Sequence, residues 1–130
     1  LPHSQTQKSA IILRLAFAVW LALLVVVSIF PVSFKLKLHT VGPYHDYGHY
    51  IAFILTGIFI WLIAGRTYGK VLGFAGGAAF SFAQEWAENK LYHAGFEWKD
   101  VATDGAGLIT GFALMLLITS LFPGGRQRHY

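Results

Sequence analysis

A chain of 130 residues that is 55% apolar, 16% aromatic and only 12% charged carries about half the charged fraction of a soluble domain. One domain embedded in a membrane fits that composition, and a soluble enzyme does not. The absence of cysteine excludes disulfides, thiolate metal sites and cysteine nucleophiles. The net charge of +4 is spread along the chain rather than clustered, which favours lipid phosphates over nucleic acid as its partner.

Residues 1–9 are polar. The apolar run 11–30 follows, 20 residues long and sufficient to span a hydrocarbon core, with Arg14 placed to reach the headgroups. It is too long for a signal peptide, and Ser28-Ile29-Phe30-Pro31 is a poor cleavage site. Next comes a connection with an alternating patch, Phe34-Lys35-Leu36-Lys37-Leu38-His39, which suggests an extended segment on the membrane surface or an ordinary loop. Gly42-Pro43 breaks the chain before a second helix over about 47–64. A short basic turn leads to a third helix over 71–92. A polar and aromatic link then leads to a fourth over 100–122, stopped by Pro123-Gly124-Gly125. The expected fold is an all-α membrane protein: a four-helix transmembrane bundle in one domain, residues 1–130.

Four spans put both termini on one side of the membrane. That side holds Lys8, Arg14, Arg66, Lys70, Arg126 and Arg128 and no acid. The other holds Lys35, Lys37, Lys90 and Lys99 with all six acids. The excess of basic residues favours both termini in the cytoplasm.

Helices 2 and 3 have apolar or small stretches, 50–65 and 71–86, that fall short of the roughly 20 residues a span requires. Their polar outer ends should therefore turn inward. On helix 3 the residues Gly73, Gly77, Ser81, Gln84 and Glu88 recur at helical spacing. On helix 4 the residues Asp100, Asp104, Gly107 and Gly111 form a similar stripe, small at one end and polar at the other. Small residues at this spacing let membrane helices approach closely, so these two stripes are expected to pack on each other. Glu85 would then face helix 2 or helix 1. If helix 2 begins by Tyr44, His45 and His49 share a face one turn apart, beside Asp46. Trp86, Trp98, Tyr44, Tyr47, Tyr50 and Tyr92 read as an aromatic belt at the same level.

These residues resemble the VanZ-like family of small bacterial membrane proteins, named after an accessory gene of low-level teicoplanin resistance. The resemblance covers about residues 20–115. It rests on Ser28-Ile29-Phe30-Pro31 ending helix 1 and on Gly48-His49-Tyr50-Ile51-Ala52-Phe53 opening helix 2. It rests also on the Gln/Glu cluster late in helix 3 and on Asp100-x-x-x-Asp104-x-x-Gly107-x-x-x-Gly111. The family's Asp-Lys before the helix 2 histidine is replaced by His45-Asp46, and its Glu-x-x-Gln by Glu85-x-x-Glu88. The Arg of its helix 3–4 link is missing. What the resemblance implies is the architecture more than the chemistry.

Three roles compete for the cluster of His45, Asp46, His49, Gln84, Glu85, Glu88, Asp100 and Asp104. It pins the helices through hydrogen bonds, it holds a divalent cation, or it supplies a general acid or base with His49 as partner. No metalloprotease or nucleophile-elbow motif is present. The expectation is therefore a structural cluster with no catalytic residue and no cofactor. Glu85, Glu88, Asp104 and His49 are the weak candidates for a metal. His39 and His93 read as loop residues, and His3 and His129 lie in the tails. The expected function is a small non-catalytic accessory or scaffolding subunit, whose partners are lipids and other membrane-protein subunits. The alternative is a stand-alone envelope protein that binds or acts on an envelope component through this cluster, as in glycopeptide resistance.

Overall fold

The apolar runs form helices because no proline interrupts them and each is long enough to satisfy its own backbone. The computed structural model describes residues 2–30, 44–93 and 95–123. Among these, the regular elements are α1 (Pro2–Ile29), α2 (His45–Ala64), α3 (Thr67–Tyr92) and α4 (Trp98–Leu121), and no strand occurs. Three helices, α1 over Gln5–Ile29 together with α2 and α4, are long and apolar enough to cross a membrane. α3 has the length, 26 residues, but its last turns carry Gln84, Glu85, Glu88, Asn89 and Lys90. Every helix starts earlier than its apolar run does. α1 begins at Pro2, whose missing N–H costs nothing in a first turn. α2 begins at His45, so both histidines are helical. The alternating patch Phe34 to His39 and the basic tail after Pro123 lie outside the described residues.

Backbone geometry ends the helices where the sequence permits a positive φ. Gly65 takes φ 61° after α2. His93 takes φ 51° after α3, and its N–H bonds the Asn89 carbonyl at 2.9 Å. The Asn89 side-chain oxygen then accepts the Gly95 N–H at 3.1 Å, holding the tight link into α4.

The tightest packing joins α2 to α4. A Cβ at Gly107 would lie 2.6 Å from the Tyr50 carbonyl, and one at Gly57 would lie 2.9 Å from the Leu108 carbonyl. A Cβ at Gly111 would overlap the Ile54 carbonyl outright. These glycines therefore bring two backbones into direct contact, as small residues do between membrane helices. The glycine stripe of α4 thus meets α2, which corrects the expectation that it packs on α3. Leu108 is the reason. It is 0% exposed and sits beside Gly107, filling the space towards α3 where Gly77 receives its side chain. Gly73 and Gly77 meet Ile60 of α2 as well. Phe53, Ile60 and Leu108 form the resulting core, with Phe74, Phe80 and Phe112 packed against it.

α1 attaches differently. None of its described residues is buried. It is held by Trp20 Nε1–H donating to Thr56 Oγ1 at 3.0 Å and by Phe17 stacking on Phe59. The Gln84 amide donates to the Leu24 carbonyl at 3.1 Å and to Ser28 Oγ at 2.8 Å. The Tyr92 hydroxyl donates to the Ile29 carbonyl. Gln84 therefore faces α1 and does not join the polar mouth expected of it.

Replacing Gly111 by alanine forces the α2–α4 backbones apart and should cost about 1–3 kcal/mol. Nothing lies within 4 Å of a Cβ at Gly105, so Gly105→Ala should be neutral or slightly stabilising, by up to ~1 kcal/mol. Thermal unfolding of the two variants in the same detergent reads the contrast.

Candidate functional site: a histidine–aspartate cluster at one end of the bundle

Residues four apart on a helix lie one above the other on the same face. His45 and His49 form such a pair in the first turns of α2, with ring centroids 4.5 Å apart. Asp100 and Asp104 form another in the first turns of α4. The glycine contacts one and two turns further along fix these helices side by side, so the pairs meet in register. His45 Nε2 lies 2.9 Å from Asp100 Oδ2, and His49 Nδ1 lies 2.8 Å from Asp104 Oδ1. A cross-contact of 4.0 Å runs from His49 Nε2 to Asp100 Oδ2.

Burial sets the electrostatics. Asp100 is 4% exposed and Asp104 is 2% exposed, whereas the histidine side chains keep about a quarter of their surface open. Two carboxylates buried this deeply need counter-charge. Among the described residues, their ion-pair partners are His45 and His49. Lys99, the nearest lysine in sequence, instead bonds Asp46 at 2.6 Å on the exposed rim.

Asp104 is the most fully satisfied member. Its second oxygen accepts a hydrogen bond of 2.5 Å from Ser81 Oγ on α3. Since an ionised carboxylate only accepts, His49 gives its Nδ1–H to Asp104 and turns Nε2 towards Asp100. Ser81 is no activated nucleophile, because its hydroxyl is spent on a carboxylate and is buried at 2% exposure. Asp100 is less satisfied: its Oδ2 faces both histidines, while among the described residues its buried Oδ1 meets no hydrogen-bond donor, the Glu97 carboxyl group lying beside Asp100. Such an orphaned atom is rare in a native interior.

Glu85 supports the cluster from behind. It is 6% exposed, and its Oε1 accepts the Glu97 N–H at 2.7 Å. That bond ties the end of α3 to the residue preceding α4, three positions before Asp100. Glu85 therefore faces the link rather than α1 or α2, correcting its expected direction. Glu88 lies one turn beyond Glu85 and two beyond Ser81 and is half-buried. Of the rim aromatics, Tyr44, Tyr47, Trp86 and Trp98 are exposed, and Trp98 meets Phe82 and Phe96 at tilted ring angles. A groove of about 580 Å³ lies at the other end of the bundle, where Lys70 sits 3.5 Å over the Trp61 ring. It holds none of the cluster.

The residues expected in one outer cluster thus separate into groups. His45, His49, Asp100, Asp104 and Ser81 form the centre, Glu85 positions it, Asp46 pairs with Lys99, and Gln84 joins α1. Ser81, read from the sequence as a packing residue, proves to be a hydrogen-bond donor to the centre. The small-residue spacing alone gave no sign of this. In comparisons with known proteins, the chain matches no family model, no curated protein and no solved structure.

Replacing His49 by leucine would leave Asp104 buried with Ser81 as its remaining partner. Breaking such a pair should cost on the order of 3 kcal/mol. Lys99→Ala, on the solvated rim, should leave the melting temperature unchanged. Thermal melts of the two variants beside the unaltered chain test the contrast.

Proposed function

We propose that this chain is a four-span bacterial inner-membrane protein, both termini cytoplasmic, that binds or acts on a cell-envelope component through the His–Asp cluster. The observation that carries this reading is the asymmetry of exposure. Two carboxylates are buried against two histidines whose rings remain partly open at the end of the bundle. A purely structural cluster would give every buried polar atom a partner, since unpaired buried groups are costly. This one keeps an open face and, among the described residues, a buried carboxylate oxygen that meets no hydrogen-bond donor. The charge distribution supports an external position for that face. The VanZ-like resemblance, carried by His49, Asp104, Gly107 and Gly111, supports an envelope component as the ligand.

A second reading, a non-catalytic accessory or scaffolding subunit of a larger membrane complex, draws on a separate observation. The side chains of Ile12, Leu15, Val19 and Leu23 on α1 are exposed, and none of the described residues of α1 is fully buried. The lipid acyl chains cover such a surface equally well, so the cluster is the stronger guide.

Because the chain has no cysteine, single cysteines report orientation cleanly. Glu97→Cys should react with a membrane-impermeant thiol reagent on intact cells, and Arg128→Cys only after permeabilisation. In a strain lacking the gene, His49→Gln and Asp104→Asn should fail to restore the envelope phenotype at normal protein levels. Substitutions of Leu15 and Val19 should restore it. The reverse pattern, with loss of a co-purifying partner, would support the subunit reading.

A further inference from the structure

We propose that His45, His49 and Asp100 bind one divalent transition-metal cation of the zinc class. The inference rests on the reading of this cluster as a working centre and supplies its ligand chemistry. One ligating atom from each of the three residues lies within 4.8 Å of those of the other two. Tetrahedral zinc with bonds of about 2.0–2.1 Å needs its ligand atoms roughly 3.4 Å apart. The distances of 2.9 Å from Asp100 Oδ2 to His45 Nε2 and 4.0 Å to His49 Nε2 bracket that value. Small rotations of two partly exposed imidazoles would close the set.

Three independent features point the same way. The first is the orphaned oxygen: Asp100 is buried, its Oδ2 lies between the histidines, and among the described residues its Oδ1 meets no hydrogen-bond donor. A cation at this carboxylate gives Oδ1 the electrostatic partner it lacks. The second is the outer support. His49 offers Nε2 because its Nδ1–H is held by Asp104, which is itself held by Ser81. A carboxylate behind a histidine is the usual means by which proteins orient an imidazole ligand and raise its basicity. The third is charge. Asp100 and Asp104 together carry two negative charges, which one divalent ion balances with both histidines neutral. Protons alone would require two imidazolium rings at a centroid separation of 4.5 Å, where like charges repel. The cation takes the place of the Nε2 protons of those two rings; each imidazole keeps its Nδ1–H, and two protons pass to solvent.

The ligand chemistry selects the ion. Two imidazoles and one carboxylate suit zinc and its first-row neighbours, whereas calcium and magnesium prefer oxygen ligands. Three protein ligands leave a position open for water or for an oxygen of the bound envelope component. The two histidines have the four-residue spacing that places paired imidazoles on one metal in helical zinc sites, although the intervening Asp46-Tyr47-Gly48 carries no such motif.

The test uses the whole chain in mild detergent, stripped with a chelator and titrated with zinc ions, the uptake read by equilibrium dialysis and metal analysis. About one zinc ion per chain is expected. His45→Ala and Asp100→Asn should each weaken uptake at least ~10-fold, and Asp104→Asn roughly 10–100-fold. His93→Asn, outside the cluster, should leave it unchanged. His45→Gln keeps a hydrogen-bond donor towards Asp100 but is a poor ligand, so it reports on the metal should His45→Ala fail to fold. Absence of stoichiometric uptake, or uptake that is the same in His45→Gln and Asp100→Asn, overturns the inference. Its failure is separable from that of the envelope reading. Without zinc uptake, an envelope phenotype lost in His49→Gln would uphold the function and reject the metal. With zinc uptake, full complementation by His49→Gln and Asp104→Asn would uphold the metal and reject the function.

Discussion

The direct backbone contact between α2 and α4 governs the arrangement of everything else. Gly57, Gly107 and Gly111 remove the side chains that would hold these helices a normal distance apart. Once the backbones touch, rotation and sliding are both suppressed, because any shift drives a Cα into a carbonyl. The polar pairs at the end of the contact inherit that register. His45 must meet Asp100 and His49 must meet Asp104, since each pair lies a fixed number of turns from the same glycines. In an apolar solvent, where hydrophobic burial gives little drive to associate, close packing and interhelical hydrogen bonds are the forces available. Here the two act on the same pair of helices.

α3 closes the arrangement from the third side. Gly77 admits Leu108, and one turn later Ser81 reaches Asp104. Glu85, a further turn on, captures the backbone at Glu97 and so fixes where α4 begins. A single face of α3 thus passes from steric fit to hydrogen bonding to chain direction over three turns. α1 lies outside this unit, joined through Trp20, Gln84 and Tyr92 and through Phe17, which packs against the core. The division has a functional counterpart. The polar centre draws its residues from α2, α3 and α4, and α1 supplies none of them.

Asp100 and Asp104 illustrate how position divides chemically identical residues. Both are carboxylates in the first two turns of one helix, where the helix dipole favours negative charge. Asp104 sits deeper and has its oxygens shared between a histidine and a serine. Asp100 sits nearer the open end and faces both histidines with one oxygen, while the other meets no hydrogen-bond donor among the described residues. The first is a supporting group and the second a group suited to a ligand.

Much of this was legible in the residue order. Helix number, approximate lengths, the pairing of His45 with His49 and of Asp100 with Asp104, and the small-residue stripes all follow from the 3.6-residue period acting on local sequence. Membrane character follows from composition, and α3's failure to match the other spans in apolarity follows from Gln84, Glu85 and Glu88. Which stripe meets which helix did not follow. A period defines a face but not the neighbour that the face will find, and Gly107 and Gly111 are equally compatible with α2 or α3 until the bulk of Leu108 is placed. The directions of Gln84 and Glu85 were hidden for the same reason, since each depends on where α1 and the link into α4 come to rest. Packing in three dimensions decided those partners, because steric exclusion acts between residues that the chain itself holds far apart.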